Sequence, residues 1–302
     1  MAYRNTVYLV RTPKEINALI RLLDDPDEDI YGHIKQELKS FGEDVIPNLE
    51  SQWESNRLGK LFQSRVENLI HEIQYGSLEE HLMDWWKEDK PDLLEGATLV
   101  SNYKYPSLSF DDINKQVTKY TQEIWLELND NLTALEKIKL INHFIFDVHG
   151  FSGNIAGFHD HKNSVLKDVL DTKKGNPLSL SILYILIGRQ LDLPIYGVNL
   201  PRHFVVAYLD PYQLTTPIEN SPVLFYINPF SKGDVFGPEE LSEFLEKIGV
   251  SEKEEHFKPC DSKAILKRML NNLIFAYTKN GESQKAEEVK KLYQMIIPTQ
   301  EG

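Results

Sequence analysis

The chain has 302 residues, and its 46 Asp plus Glu against 33 Lys plus Arg leave a net charge of −13. A field of that sign repels phosphate backbones and anionic lipid, which argues against direct nucleic-acid binding and against a membrane-surface role. The single cysteine, Cys260, excludes an intrachain disulfide and any structural zinc site built on two thiols, and the longest apolar run, Ile182 to Ile187, falls far short of the roughly 20 residues of a membrane span.

Met1 to Asn5 lacks the basic-then-apolar layout of a signal peptide, so a cytoplasmic location is expected. Apolar residues then recur at helical spacing over Pro13–Leu23, Glu28–Ser40, Asp44–Glu54 and Leu58–Gln74. Asp24-Asp25-Pro26-Asp27 separates the first two, and Phe41-Gly42 closes the second. Two helix pairs with "LLDDPDEDI" in the first turn resemble HEAT repeats, which present binding surface and not chemistry.

The stretch from Leu78 to Gly150 predicts further helices, over Leu93–Tyr103, Asp111–Leu128 and Leu132–Val148, with Trp85-Trp86 as core anchors. Gly150 to Asn154 and His159-Asp160-His161 are expected in loops. With His149 nearby, the H-x-H pair is a weak metal signal, and neither a metal nor a cofactor is expected. Pro177–Gln190 reads as a helix apolar almost all round, and therefore buried on most sides. Strands are predicted at Ile195–Val198, Phe204–Leu209 and Val223–Ile227, and a helix at Pro238–Ile248. Lys267–Pro298 resembles a single tetratricopeptide unit, expected as a packed hairpin closing the domain. The expected divisions are 1–77, 78–258 and 259–302.

One constellation carries chemistry. Asn176 is a good N-cap and Pro177 a good first residue for the buried helix, whose start favours an anion or thiolate. Pro201-Arg202-His203 places a histidine at the mouth of a strand, and Tyr226-Ile227-Asn228 an asparagine at the exit of the next. Buried helix, strand His, strand Asn is the order of a papain-type site.

"GNPLSLSILYILIGRQLDLPIYGVNLPRHFVV", "YINPF", "LLEGATLVSNYKYPSL" and "FIFDVHGFSGN" are similar to the bacterial SirB-type family, with its transglutaminase-like core. The resemblance implies an α+β fold: a helical N-terminal half, a cysteine-protease-like core with a small antiparallel sheet, and a tetratricopeptide-like tail. It implies a catalytic role at His203 and Asn228, but it also puts Pro177 where active transglutaminases carry their nucleophilic cysteine, in G-x-C. Two readings follow. One is a catalytically degenerate scaffold that binds a protein or peptide partner, with Asn176, Pro177, Ser181 and Arg202 at the remnant site. The other is an amide or ester hydrolase or acyltransferase that uses Ser179 with His203 and Asn228. Cys260 lies outside the motif, and a part in transcription regulation is implied by the family name alone.

Overall fold

The computed structural model describes residues 12–55, 59–158 and 160–297, and the chain forms two compact units divided between His81 and Leu82. In the first, Thr12 caps α1 (Pro13–Arg21) by a reciprocal box: its hydroxyl accepts from the Glu15 N–H at 3.4 Å, and its own N–H donates to Glu15 Oε2 at 2.6 Å. Asp27 caps α2 (Glu28–Lys39), and α3 (Ile46–Glu54) and α4 (Lys60–Lys87) follow. The apolar stripes read from the sequence meet as one core, with Ile20, Leu23, Leu38, Leu49, Phe62 and Leu69 buried. Arg65 is buried among them, a placement that periodicity does not disclose. Its guanidinium donates to the carbonyls of Leu23 (2.9 Å) and Asp25 (2.6 Å), reaches Glu28 Oε1 at 2.6 Å, and lies over the Tyr31 ring at 4.0 Å. It closes the Asp-rich turn from beneath, satisfying carbonyls that would otherwise be buried unpaired.

The expected end of a helix at Gln74 is corrected: α4 runs without interruption to Lys87, so the expected division at 77/78 falls inside it. Gly76 has open space around it and costs a helix only about 1 kcal/mol. Leu78, Leu82 and Trp85 then continue a buried stripe at i, i+4 and i+7.

The second unit opens with α5 (Leu93–Asn102), capped by Asp92, then α6 (Phe110–Trp125) and α7 (Ala134–Asn142), each started by a capping box, from Ser109 and Thr133. The helix predicted to Val148 changes hand-hold at Asn142, where a π-helical turn, His143–Val148, takes over. The loop expected at Gly150–Asn154 contains a short strand, β1 (Ser152–Gly153), which pairs in parallel with β2 (Lys174–Gly175) on the far side of α8 (Leu166–Thr172). These two strands are too short for alternation to betray them. α9 (Pro177–Gln190) is buried at every residue from Pro177 to Gly188, as its all-round apolar pattern requires.

A four-stranded antiparallel sheet follows in the order β3 (Ile195–Val198), β4 (Val205–Leu209), β5 (Val223–Asn228) and β6 (Asp234–Phe236). The first three strands lie where predicted; β6, three residues with a mostly exposed face, gives no such signal. α10 (Pro238–Lys247) packs Leu241 and Leu245 on the sheet. The tail is a hairpin of α11 (Ser262–Lys279) and α12 (Ser283–Ile296), and α11 also packs against α5. Pro298, the last position of the tetratricopeptide resemblance, lies outside the described residues. The fold is α+β, and among the described residues no helix is long and apolar enough to cross a membrane.

Candidate functional site

The start of α9 is tied down by its own side chains. Asn176 Oδ1 accepts from the Ser179 N–H at 2.9 Å, and the Asn176 N–H donates to Ser179 Oγ at 3.0 Å. Asn176 Nδ2 reaches Ser164 Oγ at 3.0 Å. Gly175 makes this approach possible, since a Cβ there would stand 2.6 Å from Ser179 Oγ. Ser179 is 3% exposed, and its hydroxyl donates to the Asn176 carbonyl at 3.3 Å. The Ser181 hydroxyl donates to the Pro177 carbonyl at 2.7 Å within the buried helix. Both hydroxyls thus serve backbone groups, the ordinary occupation of serine in a helix start.

His203 follows a tight turn in which its N–H donates to the Leu200 carbonyl at 3.3 Å. Pro201 and Arg202, the latter at φ +59°, fill the two central positions in the manner of a type II turn. The pairing of Val206 with Ile227 carries Asn228 to the level of Val205, two residues from His203. Asn228 also ends its own strand, accepting from the Phe230 N–H at 3.1 Å and donating to Ser231 Oγ at 3.1 Å. The His203 ring is held edge-on to Phe230 at 6.4 Å and lies 5.4 Å from the Phe244 ring.

A cavity of about 370 Å³ opens at the tip of α9, with Asn176, Pro177, Arg202 and His203 in its wall. His203 also borders a second cavity, of about 420 Å³, that contains Asn228. The imidazole therefore stands between the helix tip and the strand asparagine. Among the described residues its buried Nε2 has no hydrogen-bond partner. Among the wall residues of the first cavity that escape sequence reasoning are Phe158, Ser164 and, from α11, Arg268, Asn272 and Phe275. The spacing of the last three, i, i+4 and i+7, marks one helix face, but nothing in the sequence aims that face at His203.

Burial lowers the His203 pKa from its ordinary 6.5; the hydrogen bond with Asn228 pulls it up, and the Arg268 charge lowers it further. Burial thus favours the neutral form of the ring. Pro177, in the same cavity wall, offers no polar side-chain atom. The remaining candidates are placed elsewhere. The Cys260 N–H donates to the Gly197 carbonyl at 2.8 Å, and burial pushes its thiol up to about 12. His161 stacks on Tyr277 at 5.2 Å, and His149 Nε2 lies 2.9 Å from Glu123. His159 lies outside the described residues. Among the described residues no group of three or more His, Cys, Asp or Glu is placed to hold a metal ion.

The lowered pKa has a consequence for stability. Between the ordinary value of 6.5 and the lower folded value, the unfolded chain binds a proton that the folded chain resists. Stability is therefore complete above pH 6.5 and falls as the pH drops through that window. His161 is lowered too, chiefly by burial, and acts in the same sense. Urea midpoints should fall from pH 7 to about 5.5, ahead of the carboxylate range, with a shallower slope in His203→Gln and a still shallower one in the His203→Gln, His161→Gln pair. An unchanged slope in both variants would assign the pH dependence to other groups.

Known proteins resemble this chain over much of its length. A UPF0162 protein of Xylella fastidiosa is 26% identical over 216 residues, covering 69% of this chain and 73% of its own length. A UPF0162 protein of Vibrio cholerae is 24% identical over 187 residues, covering 60% of this chain and 65% of its own. F-box only protein 21 of Mus musculus is 27% identical over 239 residues, which is 70% of this chain but 37% of that protein. No solved structure matches the chain significantly. The family model for the transglutaminase-like superfamily matches residues 111–271, more than half of the chain, from the first turn of α6 to the middle of α11, so the chain belongs to the transglutaminase-like superfamily.

Proposed function

We propose that this chain is a transglutaminase-like protein that has lost its nucleophile and works by binding a protein or peptide partner. The observation that carries the reading is the pairing of Pro177 with an unpartnered His203 Nε2 in one cavity wall: the base remains, and the group it would activate does not. The HEAT-like helices support a binding role, since repeats of that kind expose surface for partners. The hydrolase alternative receives less support, because the Ser179 hydroxyl is engaged by Asn176 and is absent from the cavity wall.

A general base contributes about 10²- to 10⁴-fold to a chemical step. Turnover of p-nitrophenyl acetate and of a γ-glutamyl anilide should therefore be the same in wild type and His203→Ala. A partner that co-purifies with the wild-type chain should be retained by the variant. A drop of about a hundredfold or more in turnover, in a variant that remains folded by thermal unfolding, would establish the enzyme reading instead.

A further inference from the structure

The cavity at the tip of α9 is basic in a chain of net charge −13. Arg202 and Arg268 both stand in its wall. Among the described residues neither pairs with a carboxylate; Arg268 makes a single hydrogen bond, to Asn199 Oδ1 at 3.3 Å. Arg268 is also partly withdrawn from water, and burial disfavours its charged form. A guanidinium so placed without a counterion costs free energy that an incoming anion would return.

Arg202 adds a separate observation. It occupies a left-handed position, φ +59°, which glycine would fill without strain. Its exposed side chain lines the cavity from the turn that precedes His203. The wall also carries three phenylalanines, Phe158, Phe204 and Phe275, beside the polar Ser164, Asn176 and Asn272. Asp160 is the one acidic residue described in the wall; its Oδ1 accepts from the Lys162 N–H at 2.9 Å. One carboxylate against two guanidiniums leaves the cavity suited to a monoanion with an apolar body. A phosphate would leave the aromatic wall unfilled.

We infer that this cavity binds a carboxylate carried on an apolar residue, with Arg202 and Arg268 as the anion clamp and Phe158 and Phe275 against the side chain. The chemistry is shared by the C-terminal residue of a protein and by a small apolar carboxylic acid. The choice of a chain terminus rests on the binding reading above; the carboxylate site itself does not.

Four probes test it by calorimetry on the full chain: N-acetyl-phenylalanine, its amide, and an N-acetylated glycine-rich hexapeptide ending in Phe as free acid and as amide. Both acids should bind, each about tenfold or more tighter than its amide, and inorganic phosphate should bind more weakly than either acid. Arg268→Gln should remove the acid–amide difference, and Arg268→Lys should keep part of it. Asp160→Asn, which keeps the oxygen that caps Lys162, should tighten acid binding, an effect that loss of structure does not imitate. A peptide acid bound about tenfold tighter than N-acetyl-phenylalanine identifies a chain terminus as the ligand. Equal affinities identify a small acid, with the clamp upheld. The inference is overturned if acids and amides bind alike, or if none binds at millimolar concentration to a folded chain. Its failure is separable from that of the proposed function: His203-dependent turnover would sink the latter while leaving acid binding intact.

Discussion

Pro177→Cys is expected to produce a thiol that ionises well below the ordinary value of roughly 8.5, with a midpoint of about 7.5 or lower. Three features of the site act in that direction. The new side chain would sit at the first residue of a helix whose aligned peptide dipoles favour negative charge at this end. It would share a cavity wall with His203, whose Nε2 has no other partner and could take the proton. The Asn176–Ser179 box would still hold the helix start, since it does not involve position 177. The backbone N–H that cysteine restores needs no intrahelical acceptor there. The cost to stability should be small, about 0.4–1 kcal/mol from the freer unfolded chain. Iodoacetamide alkylation followed against pH gives the midpoint directly, and the resident Cys260, pushed up to about 12, stays silent across the range. Adding His203→Ala should return the midpoint toward roughly 8.5. An ordinary midpoint in Pro177→Cys alone would mean that the helix start and His203 are not placed to activate a thiol at position 177.

Gly233→Ala is expected to be among the most damaging single changes in the chain, on the order of 3 kcal/mol or more. Gly233 lies at φ +79°, and an added Cβ would stand 2.0 Å from Asn142 Oδ1. Asn142 cannot step aside without loss, because its Nδ2 donates to the Gly233 carbonyl at 2.8 Å and its Oδ1 accepts from the buried Tyr184 hydroxyl at 2.9 Å. The Gly233 N–H in turn donates to the Asn228 carbonyl at 2.9 Å. The strain is thus applied to the turn that holds the site asparagine, and through Tyr184 to the buried helix α9. Urea unfolding should show the loss, and the His203 imidazole shifts in NMR should move with it. Tyr184→Phe isolates the middle link. It leaves a buried acceptor without its donor at a cost of about 1–3 kcal/mol and should leave the His203 shifts nearly in place. A Gly233→Ala protein within about 0.5 kcal/mol of wild type, the range of ordinary surface changes, would contradict the close approach.

Much of the architecture was legible in the residues because it depends on short-range chemistry. The cap at Asn176 announces the start of α9, since an orphan N–H needs a nearby oxygen. The all-round apolar run of α9 predicts its burial, because no polar face is left to show to water. The sequence by itself also gives the chain order of Pro177 at the helix start, His203 before one strand and Asn228 at the end of the next.

Tertiary structure alone decided the rest. The tail read as a hairpin that closes the domain, yet α11 supplies Arg268, Asn272 and Phe275 to the cavity beside His203. The serine that seemed available, Ser179, is spent on its own helix cap, while Ser164, unmarked in the sequence, faces the cavity and accepts from Asn176. Arg65 and Gly233 look like surface and turn residues until the partners they meet, Leu23 and Asp25 for one and Asn142 for the other, arrive from far along the chain. Caps and periodicity act over one to four residues, within reach of a linear reading. A cavity wall and an unpaired guanidinium are properties of segments some hundred residues apart, and packing is what brings them to the same place.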